Sequence, residues 1–139
     1  MSKEEWHAFV LALPARTASL GVTRADGQPL VAPVWIDLDG DDVIFTTAAT
    51  TLKGKAIRRD ARVCVMVDDS RPPFAFVVIE GVAKISEDLD EMLVWATRIG
   101  ARYMGEHRGE EFGRRNAVAG ELLVRVTPTR IVARTNISD

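Results

Sequence analysis

The densest chemistry in the chain is Lys53-Gly54-Lys55-Ala56-Ile57-Arg58-Arg59, four cations within seven residues. It follows a β-rich stretch ending Phe45-Thr46-Thr47, and Thr46, Thr47, Thr50 and Thr51 add hydroxyls on the way in. Thr51 is placed to cap a short helix. The first turn of such a helix offers unpaired amides and the positive end of its dipole. Ammonium groups, hydroxyls and free amides together form the donor set of a phosphate cradle. A charged helix that simply faces solvent carries the same residue types, so the cluster alone leaves both readings open.

Other chemistries find less support. His7 and His107 are the only histidines, and no metal-ligand spacing appears. His7 falls among core-facing helix residues, and His107 in Gly105-Glu106-His107-Arg108-Gly109 reads as a surface loop residue. No Ser/His/Asp or Cys/His set emerges. Asp37, Asp39, Asp41 and Asp42 resemble a calcium loop in spacing, but a tight strand-to-strand turn explains them better. Cys64 lies in the apolar run Val63-Cys64-Val65-Met66-Val67 and reads as a buried, inert thiol. An anion cradle without evident acid–base machinery suits a protein whose cofactor carries the chemistry.

The elements that must position the cradle are mostly strands. Ser2 and Glu5 form a capping box for a short helix with Trp6, Phe9, Val10 and Leu13 on one face, ended by Pro14. Thr17 to Thr23, Pro29 to Leu38 and Val43 to Thr47 read as an antiparallel meander, turning at Ala25-Asp26-Gly27-Gln28 and Asp39-Gly40-Asp41-Asp42. The cationic helix follows, with Leu52, Ala56 and Ile57 toward the core. Arg62 to Val67, Phe74 to Ile85 with a bulge at Gly81, and Glu121 to Ala133 complete six strands. Glu87 to about Gly105 reads as a helix on the recurrence of Leu89, Met92, Leu93, Ala96, Ile99 and Tyr103. Glu106 to Ala119 reads as a loop and a short helix. The pattern predicts a mostly β fold with peripheral helices, a closed or nearly closed six-stranded antiparallel barrel.

Bulk properties narrow the class. The chain has 139 residues, 47% hydrophobic and 27% charged, which suits one domain spanning 1–139 with its own core. A formal charge of −2 supplies no global field for nucleic acid, and the basic cluster lacks interleaved aromatics for base stacking. The polar start Met1-Ser2-Lys3-Glu4-Glu5-Trp6 is unlike a signal peptide, and no stretch approaches the ~20 apolar residues of a membrane span. A cytoplasmic protein, bound to neither membrane nor nucleic acid, is the expectation.

Several segments, taken in order, resemble the pyridoxamine 5′-phosphate oxidase-like split β-barrel family, in particular its branch that uses the deazaflavin coenzyme F420. The carriers are Leu20-Gly21-Val22-Thr23-Arg24-Ala25-Asp26-Gly27-Gln28-Pro29, Pro33-Val34-Trp35-Ile36-Asp37, and Ile44-Phe45-Thr46-Thr47. Lys53 to Val63, the most specific piece, then Ile79-Glu80-Gly81-Val82-Ala83 and Val124 to Val132 follow in the same order. The resemblance spans Leu20 to Ala133. It implies a six-stranded, FMN-binding-like split barrel and a homodimer with cofactor sites at its interface. It also implies an oxidoreductase moving a hydride between reduced F420 and a small unsaturated or quinone-like substrate. An FMN-dependent enzyme of the same fold, or a non-catalytic flavin- or deazaflavin-binding protein, is the alternative.

Carried over position by position, Lys53, Lys55, Arg58 and Arg59 would meet the cofactor's phosphate and acidic tail. Thr46 and Thr47 would meet the phosphate or ribityl chain, and Pro33, Val34 and Trp35 would line the ring. Phe74 and Phe76 match positions where relatives bring aromatics from the partner subunit. No catalytic side chain is assigned, although Tyr103 or Arg125 could assist. The sequence departs from the family pattern in Lys55, where many relatives have Arg, and in Ala61, where proline is frequent. The short tail after Arg134 carries no counterpart of the substrate-binding residues of true pyridoxamine phosphate oxidases, which argues against that activity.

Overall fold

The computed structural model describes all 139 residues. Its elements are α1 (Lys3–Leu11), β1 (Ala18–Thr23), β2 (Pro29–Val34), β3 (Asp37–Asp39), β4 (Asp42–Ala48) and α2 (Leu52–Arg59). They continue with β5 (Arg62–Asp69), β6 (Ala75–Ser86), α3 (Leu89–Met104), a 3-10 turn (Glu106–Arg108), α4 (Gly109–Asn116) and β7 (Glu121–Arg134). All strand pairs are antiparallel, in the order β2-β1-β5-β6-β7-β4-β3. The fold is mostly β with peripheral helices, as the pattern predicts.

The strand count is seven, and the sheet is open: the terminal strands β2 and β3 do not pair with each other. Pro29 to Leu38 is therefore two strands. Only Trp35 and Ile36 separate β2 from β3, which lie at opposite ends of the sheet order. The sheet must coil around its core to bring its ends that close. At this seam the backbone leaves β1 for β4, and α3 takes over its hydrogen bonding. The Ile36 amide donates to the Tyr103 hydroxyl at 3.1 Å, and Arg102 Nε donates to the Ile36 carbonyl at 3.1 Å. Buried backbone groups must find partners, and here long side chains from a distant helix supply them. Such a partner is invisible to local pattern.

Edge strands invite pairing with other chains. β2 carries Pro29, Val31 and Pro33 at alternate positions, so two amides of that row are missing. β3 is only three residues long.

One cluster of 21 buried residues fills the coil, drawn from every strand and from two helices, α1 through Trp6 and Val10 and α2 through Ala56 and Ile57. A smaller cluster, Ile44, Met92, Trp95 and Leu123, lies outside β4 and β7 beneath α3. Arg102 also donates to the carbonyls of Val10 (3.3 Å) and Leu11 (3.1 Å), satisfying the orphaned C-terminal end of α1.

The structure corrects several local readings. Helix α1 ends at Leu11, so Leu13 lies beyond it and is 72% exposed. Strand β6 starts at Ala75, because Phe74 sits at φ 64, in the left-handed region that no strand residue occupies. Leu89 and Leu93 lie on the exposed side of α3, and Trp95 takes the core-facing role with Met92, Ala96 and Ile99. Cys64 is exposed. β5 alternates, with Val63, Val65 and Val67 buried, and Cys64 lies on the outward side with Gly21 of β1 beside it. The apolar run reads as buried on both faces, but this side of the sheet is bare of helices, and Val31 and Val82 are exposed on it too. The bulge at Gly81 is present, as a register shift between Glu80 and Gly81 against β7.

Candidate functional site

Helix α2 begins where β4 ends, and the junction is tightly built. The Thr51 hydroxyl donates to the Ala48 carbonyl at 2.8 Å and accepts from the Gly54 amide at 3.1 Å. Thr47 and Thr51 hydroxyls lie 3.3 Å apart. A Cβ at position 54 would collide with the Ala48 carbonyl, so only glycine lets the first turn sit this close to the strand. The amides of Leu52 and Lys53 find no acceptor in the protein. Ala56 and Ile57 anchor the helix in the core.

Beside this junction opens a cleft of about 600 Å³, bordered by Pro33, Val34 and Trp35 from the seam and by Thr46, Thr47, Thr51 and Lys53 from the junction. Ile99, Arg115, Asn116 and Glu121 close the far side. Trp35 is held rigidly: its ring stacks on Tyr103 at 5.0 Å with planes 3° apart, and Phe112 tilts against it at 5.9 Å. An aromatic wall fixed on two sides presents a preformed apolar surface.

The charges of the cleft are uncommitted. Fourteen of the 18 Lys and Arg residues have an ion-pair or hydrogen-bond partner. Lys53, Lys55, Lys84 and Arg115 have none, and Lys53 and Arg115 both face the cleft. Glu121 is equally unpaired. Burial pushes its carboxyl above the ordinary range, and the Lys53 ammonium pulls it part of the way back.

The eleven residues singled out in the sequence divide into four groups. Pro33, Val34, Trp35, Thr46, Thr47 and Lys53 meet at the cleft. Lys55 and Arg59, on another side of α2, border a separate hollow with Arg24, Ala25, Asp26 and Leu52. Arg58 faces away from both and pairs with Glu87 at 3.1 Å. Successive helix residues turn by about 100°, so one helix cannot aim four cations at one group. Phe74 borders a third hollow with Phe9, Arg16 and Asn136, and Phe76 pairs with Asp68 and Arg134 in the sheet. Neither reaches the cleft of its own chain.

Sequence reasoning missed Thr17, Ile99, Arg115, Asn116 and Glu121. Their signal was weak, because they are scattered along the chain and only the packing of α3, α4 and β7 around the seam gathers them. Tyr103 and Arg125 serve structure instead. The Tyr103 hydroxyl is engaged at the seam, and Arg125 binds Asp39 (2.8 Å) and Asp42 (3.2 Å) away from the cleft. His7 binds Asp41 at 2.8 Å, and His107 is exposed on the 3-10 turn.

An open, coiled antiparallel sheet with an anion-ready cleft at the end of a strand defines a split-barrel fold of the flavin-binding oxidoreductase type. The chain belongs to the pyridoxamine 5′-phosphate oxidase family, whose model matches residues 2–134. This family binds flavin-like cofactors. No functionally curated protein matches the sequence. Among solved structures, the chain is similar to a conserved hypothetical protein from Mycobacterium tuberculosis, with TM-score 0.85 and 24% identity over 99% of this chain and 87% of that one. It is similar to an F420 reductase, with TM-score 0.71 and 23% identity over 90% and 94% of the two chains. It is also similar to the heme storage protein of Vibrio cholerae, with TM-score 0.72 and 15% identity over 95% and 94%. At these identities the likeness is one of fold. No helix is long and apolar enough to cross a membrane.

Proposed function

We propose that the protein is a coenzyme F420-dependent oxidoreductase acting as a homodimer on small unsaturated or quinone-like substrates. The observation that carries this reading is the cleft itself. It joins free amides at a helix start, a hydroxyl pair, and two uncommitted cations to a rigid tryptophan wall. These donors fit a phosphate, and the wall fits a planar heterocycle.

In this reading the Lys53 amide and ammonium and the Thr47 hydroxyl hold the phosphate. Trp35, backed by Tyr103 and Phe112, orients the ring, while Pro33 and Val34 keep water from one side. When bound, the deazaflavin supplies a hydride to an electrophilic acceptor. No side chain of the cleft is assigned as proton donor in this reading, and a solvent proton completes the reduction. Arg24, Lys55 and Arg59 at the separate hollow on another side of α2 suit an acidic extension such as the glutamyl tail of F420. FMN lacks that extension, which favours F420 over the FMN alternative. Phe74 and Phe76 reach a cleft only if a second copy brings them, so the homodimer is part of the proposal.

The test is a fluorescence titration of the purified protein with F420 and, separately, FMN, alongside sedimentation analysis. Saturable, preferential F420 binding by a dimer supports the proposal. Preferential FMN binding moves the protein to the flavin branch. Saturable binding with no turnover across a broad acceptor panel favours a carrier, and binding of neither cofactor ends the reading.

A further inference from the structure

Glu121 is the one acidic residue among those bordering the cleft. Its carboxylate makes no hydrogen bond and no ion pair, so no structural duty explains the side chain. Its place is fixed by backbone, since residue 121 stands opposite Ala48 in the β4–β7 ladder and the Ala49 amide donates to the Gly120 carbonyl at 2.8 Å. Ala48 also supports the Thr51 cap of α2. The carboxylate and the cradle are therefore built on paired ends of neighbouring strands, β7 and β4, which keeps their backbones side by side. Lys53 is near enough for its charge to act on the Glu121 carboxyl. An anion drawn to Lys53 must share the cleft with Glu121.

Coulomb energy scales with the product of the charges. A phosphomonoester carries about −1.5 to −2 near pH 7, because its second ionisation lies near 6. A phosphodiester has only one ionisable oxygen and carries a single charge. A fixed carboxylate therefore opposes the monoester up to twice as strongly, while the neutral donors of the cradle serve both alike. We propose that Glu121 is a specificity-determining residue that disfavours phosphomonoester ligands such as FMN and admits ligands whose phosphate is esterified on both sides, as in F420. This rests on the reading that the cleft holds a cofactor phosphate.

The experiment measures dissociation constants, by fluorescence titration at pH 7.5 (a value chosen to keep the monoester near ~−2), for FMN, riboflavin and F420. Wild-type protein, Glu121→Gln, Glu121→Ala and Lys53→Ala are compared, with a thermal melt for each. Removing the carboxylate is expected to tighten FMN about tenfold and F420 about threefold, in keeping with repulsion proportional to ligand charge. Riboflavin, which has no phosphate, should be unchanged. An unaltered FMN-to-F420 ratio in both Glu121 variants overturns the inference, as does tightening of riboflavin by the same factor. If that failure is accompanied by weakened F420 binding in Lys53→Ala, the cleft still holds phosphate and only the role of Glu121 falls. If no variant binds F420 or FMN, both readings fall together.

Discussion

Two charged regions look alike in the sequence and differ in the folded molecule. The turn from Asp37 to Asp42 holds four carboxylates, and the segment from Lys53 to Arg59 holds four cations. In the turn every carboxylate has a cationic partner: Asp37 with Arg98 (3.3 Å), Asp39 and Asp42 with Arg125, Asp41 with Lys3 (3.0 Å) and His7. Arg125 also lies over the Trp95 ring, 5.9 Å from its centroid. On α2 only Arg58 has an acidic partner, and Arg59 binds the Thr23 carbonyl at 2.8 Å. Density of charge is similar in both regions, and what differs is how much of it has a partner. The turn is saturated, while the start of α2 leaves its cations without acidic partners.

The largest effect that would break this contrast is on binding. Lys53→Ala combined with Arg115→Ala should weaken F420 binding by about 100-fold, since charge-assisted hydrogen bonds contribute about 1.5–3 kcal/mol each. The melting temperature should hardly move, because neither side chain has an ion-pair or hydrogen-bond partner and Arg115 loses only its contact over the Phe112 ring. A double variant that binds normally but melts early would invert the roles of the two regions.

Arg125→Ala should do the opposite. It leaves Asp39 and Asp42 facing each other and removes the cover over Trp95, so a loss of about 1–2 kcal/mol in a urea unfolding curve is expected. F420 affinity should stay within twofold, a figure of about 0.4 kcal/mol.

Lys55→Ala and Arg58→Ala separate the faces of α2. Lys55→Ala should weaken F420 about threefold through the acidic tail and leave FMN alone, as expected for an exposed charge contact of about 0.7 kcal/mol. Arg58→Ala should change neither ligand, because its partner is Glu87. Equal effects of the two would mean that the helix acts only as a diffuse positive field.

The smallest effect is acid titration. Asp60 and Asp69 each bind an Arg two residues on, through both its side chain and its amide. The side-chain bond to Arg62 holds Asp60 at a pKa of about 2, and that to Arg71 does the same for Asp69. Folded values below the ordinary carboxylate value mean stability that is fully present above about 4 and is lost as pH falls toward 2. Carboxyl-carbon NMR titration should place both midpoints near 2, and midpoints near 4 would show the pairs to be loose in solution.

Much of this was legible in the chain. Alternating burial in β1 reflects a residue pattern with period two, and Ser2 and Thr51 cap their helices as their types require. The split of Pro29 to Leu38 was not legible, because Tyr103 and Arg102 lie some 66 residues or more from the carbonyl and amide they satisfy. Nor was the exposure of Cys64, since an apolar run does not say whether both faces of its sheet are covered.

The sequence by itself determined the sheet-rich class, the capped cationic helix after β4, and the donor types of the phosphate cradle proposed there. These follow from short-range rules of periodicity, capping and charge. The tertiary structure decided which cations remain free. Helical rotation sends Lys53, Lys55 and Arg58 to different surroundings, and partners for charge come from strands and helices distant in the chain. It also set Arg115 and Glu121 beside Lys53, because the docking of α4 and the β4–β7 register bring together residues that no local pattern relates.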